Sequence, residues 1–201
     1  MKKVGVLLLL LFLIGFSAGC IGSDNTDTTS STSTAAQQDY VDVNGTKIYL
    51  DKVHFYMYGA KTCPHCRNMK EKIPAKYGEE AFTYYELVNN QTNMELFNQL
   101  AQLTGITGVP AIAIAYNGTL YAVIEGEFDV EKAPEIIATA MENNGVFLIV
   151  GKVYLLPRDE PKWKLVIDAL HTLFVEHEPV DVQEILDQLK ANSTSAGNST
   201  G

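Results

Sequence analysis

Two of the three cysteines in the 201-residue chain lie in "KTCPHCRNMK", residues 61–70, as Cys63-Pro64-His65-Cys66. Two thiols separated by two residues can close a structural disulfide, hold a metal, or trade disulfides with other thiols. A purely structural bridge is a poor use of this spacing, because so small a loop removes little entropy from the unfolded chain. Zinc would need two further ligands. No second CxxC exists, and the other histidines are His54, His171 and His177, the last two off one helical face. Two thiolates and a histidine would suit Cu(I), so a copper-handling role stays open at this point.

The third cysteine closes "MKKVGVLLLLLFLIGFSAGC". Lys2 and Lys3, an apolar run over residues 4–16 and small residues ahead of Cys20 have the layout of a secretory signal. "SAGC" resembles a lipobox, after which Cys20 would carry lipid, although Ser17 stands where the bacterial pattern prefers Leu. The "CIG" before a Ser/Thr tract is also similar to secreted lipoproteins of archaea. An uncleaved helix is the alternative, since residues 4–21 approach the ~18 apolar residues a spanning helix needs. Either route predicts an extracytoplasmic protein anchored to the cell membrane; release is the third possibility. With Cys20 at the membrane, Cys63 and Cys66 are each other's natural partners, and export permits a disulfide between them.

Residues 21–38 are rich in Ser and Thr, lack apolar periodicity and read as a flexible linker. Residues 191–201 read as a similar disordered tail. Sequons stand at Asn44, Asn90, Asn117, Asn192 and Asn198, which suits an exported surface. Between the tails, residues 39–190 have one domain's length. The formal charge of −9 leaves no basic patch for nucleic acid.

The elements that must position the cysteines follow from local pattern. "YVDVNGTKIYL" alternates around Asn44-Gly45 and predicts a hairpin over residues 40–50. "KVHFYMYGA" predicts a strand ending at Gly59, and a helix follows from Pro64 with Met69, Ile73 and Tyr77 on one face. Pro74 should kink or end it. "AFTYYELV" predicts a strand, and Thr92 to Glu95 a capping box opening a helix that stops at Gly105. "AIAIAY" and "TLYAVIE" flank a second hairpin turn at Asn117-Gly118, and a helix over 129–143 follows, its start blurred by Pro134.

This order, strand–helix–strand–helix–strand–strand–helix with a CxxC opening the first helix, resembles the thioredoxin-like fold, an α/β class with a mixed central sheet flanked by helices. The resemblance covers 52–145, within a domain of 39–145 that carries the hairpin as an N-terminal extension. Residues 146–190 fit no part of that core and are expected to pack on it as a mostly helical extension, with a strand or two in "GVFLIVGKVYLL". "CPHC" is similar to the site of DsbA-type oxidases, whose potential is about −120 mV against about −270 mV for thioredoxin. That resemblance implies that Cys63 is the exposed nucleophile and Cys66 the resolving thiol. Three features would make a thiolate at Cys63 easy to form: the helix N-terminus introduced by Pro64, an inward-turned His65, and the Cys66 thiol. It further implies that Pro110, 44 residues after Cys66, is a cis-proline beside the CxxC, and that Val109 pairs with an extended substrate.

Two departures matter. The helical domain that DsbA proper inserts before its cis-proline has no room here. The acid that thioredoxin-like proteins carry before the CxxC is also missing from "VHFYMYGAKTC", leaving His54 or water to move the Cys66 proton. The expected function is a membrane-tethered oxidoreductase exchanging disulfides with protein substrates, as oxidase or isomerase, with no dissolved cofactor and a membrane redox partner for recycling. A reductase fed by a membrane electron donor and a non-catalytic peptide-binding module are the alternatives.

Overall fold

The computed structural model of the protein describes residues 39–196; the expected signal segment with Cys20, the expected linker over 21–38 and residues 197–201 lie outside them. β1 (Tyr40–Val43) and β2 (Thr46–Tyr49) form the N-terminal hairpin, turned by Asn44 and Gly45 with φ of 51° and 86°. Only Ile48 of this hairpin is fully buried, and it joins the core beneath the central sheet.

β3 (Val53–Gly59) leads to α1 (Pro64–Tyr77), β4 (Phe82–Glu86), α2 (Gln91–Thr104), β5 (Ala111–Tyr116), β6 (Thr119–Glu125) and α3 (Ala133–Glu142). β7 (Gly145–Val150), β8 (Lys152–Pro157), α4 (Pro161–His171) and α5 (Val182–Ala196) complete the described chain. Six strands form one mixed sheet in the order β4-β3-β5-β6-β7-β8, with β3 parallel to β4 and antiparallel to β5. The fold is thioredoxin-like.

β5 lies near the middle, and its run "AIAIA" is buried on both faces. Ala111 and Ala113 point into one cluster with α2 and α4, while Ile112 and Ile114 point into the other with α1 and α3. A central strand covered on both sides has no reason to alternate apolar with polar residues.

Several elements differ from the sequence expectation. α1 runs three residues past Pro74, which falls in the last turn, where its missing N–H forfeits one bond and Gly78 N–H closes onto the Pro74 carbonyl. α2 is capped by Asn90, whose side chain accepts the Asn93 N–H, and not by Thr92. Pro134 sits in the first turn of α3, preceded by a 3-10 turn over Val130–Lys132. β7 and β8 extend the central sheet, so residues 146–190 are not simply a helical layer. The helices that follow pack on the α2 face, where Tyr58 Oη donates to the Leu173 carbonyl (2.6 Å) and Tyr85 Oη to that of Phe174 (2.8 Å). α5 continues to Ala196, so residues 191–196, expected in the tail, are helical. Among the described residues no helix is long and apolar enough to cross a membrane.

Candidate active site

β3 ends at Gly59, and a short loop turns the chain into α1. Cys63 is the N-cap, with extended backbone (φ −80°, ψ 122°), and Pro64 takes the first turn, where its missing N–H has no partner to lose. The Cys63 sulfur accepts the Cys66 N–H at 3.3 Å and donates its S–H toward the Val109 carbonyl at 3.5 Å. The Val109–Pro110 peptide is cis. Cys63, Cys66, Val109 and Pro110 therefore meet at one end of the sheet, where β5 begins.

The two thiols have unequal surroundings. Cys63 is half-buried and Cys66, one turn along, is fully buried; both are free, so this is the reduced pair. Burial pushes the Cys66 thiol up to about 12, and its hydrogen bond with Cys63 adds to the shift. Cys66 thus keeps its proton at neutral pH. Gly59 makes room for this sulfur. A Cβ there would lie 2.8 Å from the Tyr84 ring and 3.2 Å from Cys66 Sγ.

His65 does not turn inward. Its side chain is 68% exposed, with Nδ1 2.6 Å from Glu127 Oε1, and Asn68 and Lys72 donate to the same carboxylate. The His65 hydrogen bond, followed by that of Asn68, holds the Glu127 carboxyl below its usual range. His54 is likewise elsewhere. Its Nε2 pairs with Thr83 Oγ1 at 2.8 Å, at the far end of β3 from Gly59.

Sequence reasoning missed three carboxylates around the thiols. Glu86, closing β4, accepts N–H groups of Lys61 (3.1 Å) and Val88 (2.9 Å) and the Tyr84 hydroxyl (3.1 Å), tying down the loop before Cys63. Burial raises its pKa, but the hydrogen bonds from Val88, Lys61 and Tyr84 outweigh that and leave it low. Glu125, closing β6, accepts the N–H groups of Thr107 and Gly108, and Gly126 N–H donates to the Pro110 carbonyl at 2.7 Å. Those bonds fasten the loop before Val109. Glu127, two residues on, holds His65. For Glu86 and Glu125 a glutamate closing a strand was the available signal; Glu127, in the turn after β6, carried none. Among the described residues, no cluster of three or more His, Cys, Asp or Glu is placed to hold a metal.

The glutaredoxin family model matches residues 53–120. That stretch runs from β3 into β6, roughly a third of the chain, and contains both thiols together with Val109 and Pro110. No curated protein matches the chain, and no solved structure matches it. Residues 53–120 are thus similar to a glutaredoxin domain, with two cysteines in CxxC spacing on a thioredoxin-like fold, and that similarity supports thiol-based redox chemistry in general.

Proposed function

We propose that this chain is a membrane-tethered, extracytoplasmic thiol–disulfide oxidoreductase that exchanges disulfides with protein substrates through Cys63 and Cys66. The observation that carries the reading is the asymmetry of the pair. Cys63 is reachable, caps α1 and lies against Val109 and Pro110, whereas Cys66 is sealed behind it.

In the oxidising direction a substrate thiolate attacks Cys63 Sγ of the Cys63–Cys66 disulfide. The S–S bond breaks, Cys66 leaves, and it takes up the proton that its buried surroundings favour. A second substrate thiolate then attacks the substrate sulfur of the mixed disulfide and expels Cys63. Two electrons pass from the substrate dithiol, which becomes a disulfide, to the pair, which becomes two thiols. The Cys66 N–H aimed at the Cys63 sulfur supports departure of an anion from that position. No dissolved cofactor enters these steps, and a membrane redox partner reoxidises the pair.

The tether rests on the apolar N-terminal run and on Cys20, as the lipid attachment site or as part of a retained helix. The resemblance of Pro64 between the cysteines and of Val109 before Pro110 to DsbA-type sites favours oxidation or isomerisation over reduction; His65, turned out to Glu127, adds nothing to that. Equilibration of the pair with glutathione tests direction. A potential near about −120 mV supports the oxidase, and one near about −270 mV favours the reductase reading.

A further inference from the structure

β8 ends the sheet on the side away from β4, and no strand covers its outer edge among the described residues. Val153, Tyr154 and Leu155 are exposed there at 63%, 50% and 37%. Sheet edges are ordinarily blunted with charge or proline; here Lys152 and Pro157 stand only at the ends. Arg158 N–H donates inward to the Asn144 carbonyl. By alternation, Val153 and Leu155 turn their N–H and C=O groups outward. The result is a short open ladder flanked by apolar side chains.

A cleft of about 560 Å³ opens beside this edge, between Tyr154 and Val150 of the sheet and Leu103, Thr104 and Trp163 of the helices. None of its lining residues is charged, in a chain of net charge −9. Register places the cleft relative to the thiols. Tyr58 pairs with Ala111, Ala111 with Glu125, and Ile124 with Ile149, so Cys63, Pro110 and the β7–β8 turn share one end of the sheet. Three strand spacings, about 14 Å, separate β5 from β8. Thr104 lines the cleft, and residues 105–110 connect it to Val109 beside Cys63.

We propose that the β8 edge and this cleft dock an extended apolar segment of the polypeptide whose cysteine reacts at Cys63, adding it to β8 as a short strand. The proposal rests on the disulfide-exchange reading above and gives its substrate class as unfolded or incompletely folded chains. Only these expose apolar stretches and unpaired backbone near a thiol. A strand added outside β8 lies four spacings, about 19 Å, from β5, which about six extended residues span at ~3.3 Å each. A second copy of the chain fits less well. Two paired edges would bury only a few side chains, against the ~800 Å² per partner of a stable interface, and would join two chains of charge −9.

Trp163 is the chain's only tryptophan, so its fluorescence reads the cleft. A cysteine-free decapeptide of alternating Val and Thr, titrated into the full chain, should shift that emission saturably. Val153→Pro, which removes an outward N–H that an edge strand can spare, or Tyr154→Lys should weaken binding about five-fold. In parallel, the protein is turned over with reduced, unfolded ribonuclease while excess oxidised glutathione reoxidises the Cys63–Cys66 pair, and the oxidised protein alone is reacted with dithiothreitol. Both substitutions should raise KM for the unfolded protein about five-fold and leave kcat and the dithiothreitol rate within about two-fold. Unchanged peptide affinity and KM overturn the proposal, as does a concentration-dependent dimer that Tyr154→Lys disperses. Inertness toward dithiothreitol defeats the disulfide-exchange reading instead, and the peptide titration, which needs no cysteine, still decides the docking.

Discussion

At the scale of single residues, Cys63 and Cys66 differ by burial, and burial sets what each can do. Iodoacetamide at pH 7 should label Cys63 while Cys66 stays unmodified until the chain is unfolded, as mass mapping of the adducts would report. The raised Cys66 value also fixes a pH dependence. Well below about 12, its thiolate fraction rises ten-fold per pH unit, so closure of a mixed disulfide by Cys66 should quicken by up to about ten-fold per unit between pH 6 and 8. A flat profile in quenched-flow measurements would show that Cys66 is not the resolving group. The same shift has a stability counterpart. A thiol whose folded value lies above its unfolded one stabilises the reduced fold below the unfolded value, and that contribution is lost as pH climbs toward about 12. Glu127 acts on the other side of the site. Glu127→Gln frees His65 and removes a negative charge from the approach to Cys63, and should speed reaction with an anionic aromatic disulfide about two- to five-fold at low salt, an effect erased near 0.5 M. The cysteine pair was legible because CxxC is a local pattern, whereas the cis bond at Pro110 was expected only from the resemblance to the thioredoxin-like fold, since nothing in an X-Pro pair marks it as cis. The hold of Glu127 on His65 was not, since 62 residues separate them and only the turn after β6 brings them together.

At the scale of elements, the site depends on how closely α1 approaches β3. Gly59 is the residue that permits it. In Gly59→Ala the new methyl would meet the Tyr84 ring and the Cys66 sulfur. The substitution should destabilise the fold by about 1–3 kcal/mol in urea titrations and slow formation of the Cys63–Cys66 disulfide. Wild-type stability together with wild-type closure kinetics would contradict that packing. Helix starts and hairpins were readable wherever turn chemistry is unambiguous, as at Pro64 and at Asn44-Gly45. The start of α2 was misread because Asn90 and Thr92 are both good caps, and only the Asn93 N–H bonded to Asn90 separates them. The addition of β7 to the main sheet could not be read locally. Its neighbour β6 pairs with it in parallel across the whole of α3, and nothing in "GVFLIV" specifies that partner.

At the scale of the whole molecule, a domain whose reactive sulfur and apolar β8 edge share one end of the sheet, held at a membrane surface, would meet chains as they emerge unfolded outside the cell. If the N-terminal apolar run carries the tether proposed above, fractionation of the native host should recover the protein with membranes until detergent is added. The proposed disulfide exchange depends on Cys63 as the sulfur that joins to other proteins. Its most direct test is a trap. The Cys66→Ser protein is expressed in its native host, thiols are quenched with acid, and disulfide-linked partners are mapped by mass spectrometry. Mixed disulfides should form through Cys63, vanish under reductant and be absent from the Cys63→Ser protein. Partners captured equally well through Cys66, or none through Cys63, would contradict that exchange.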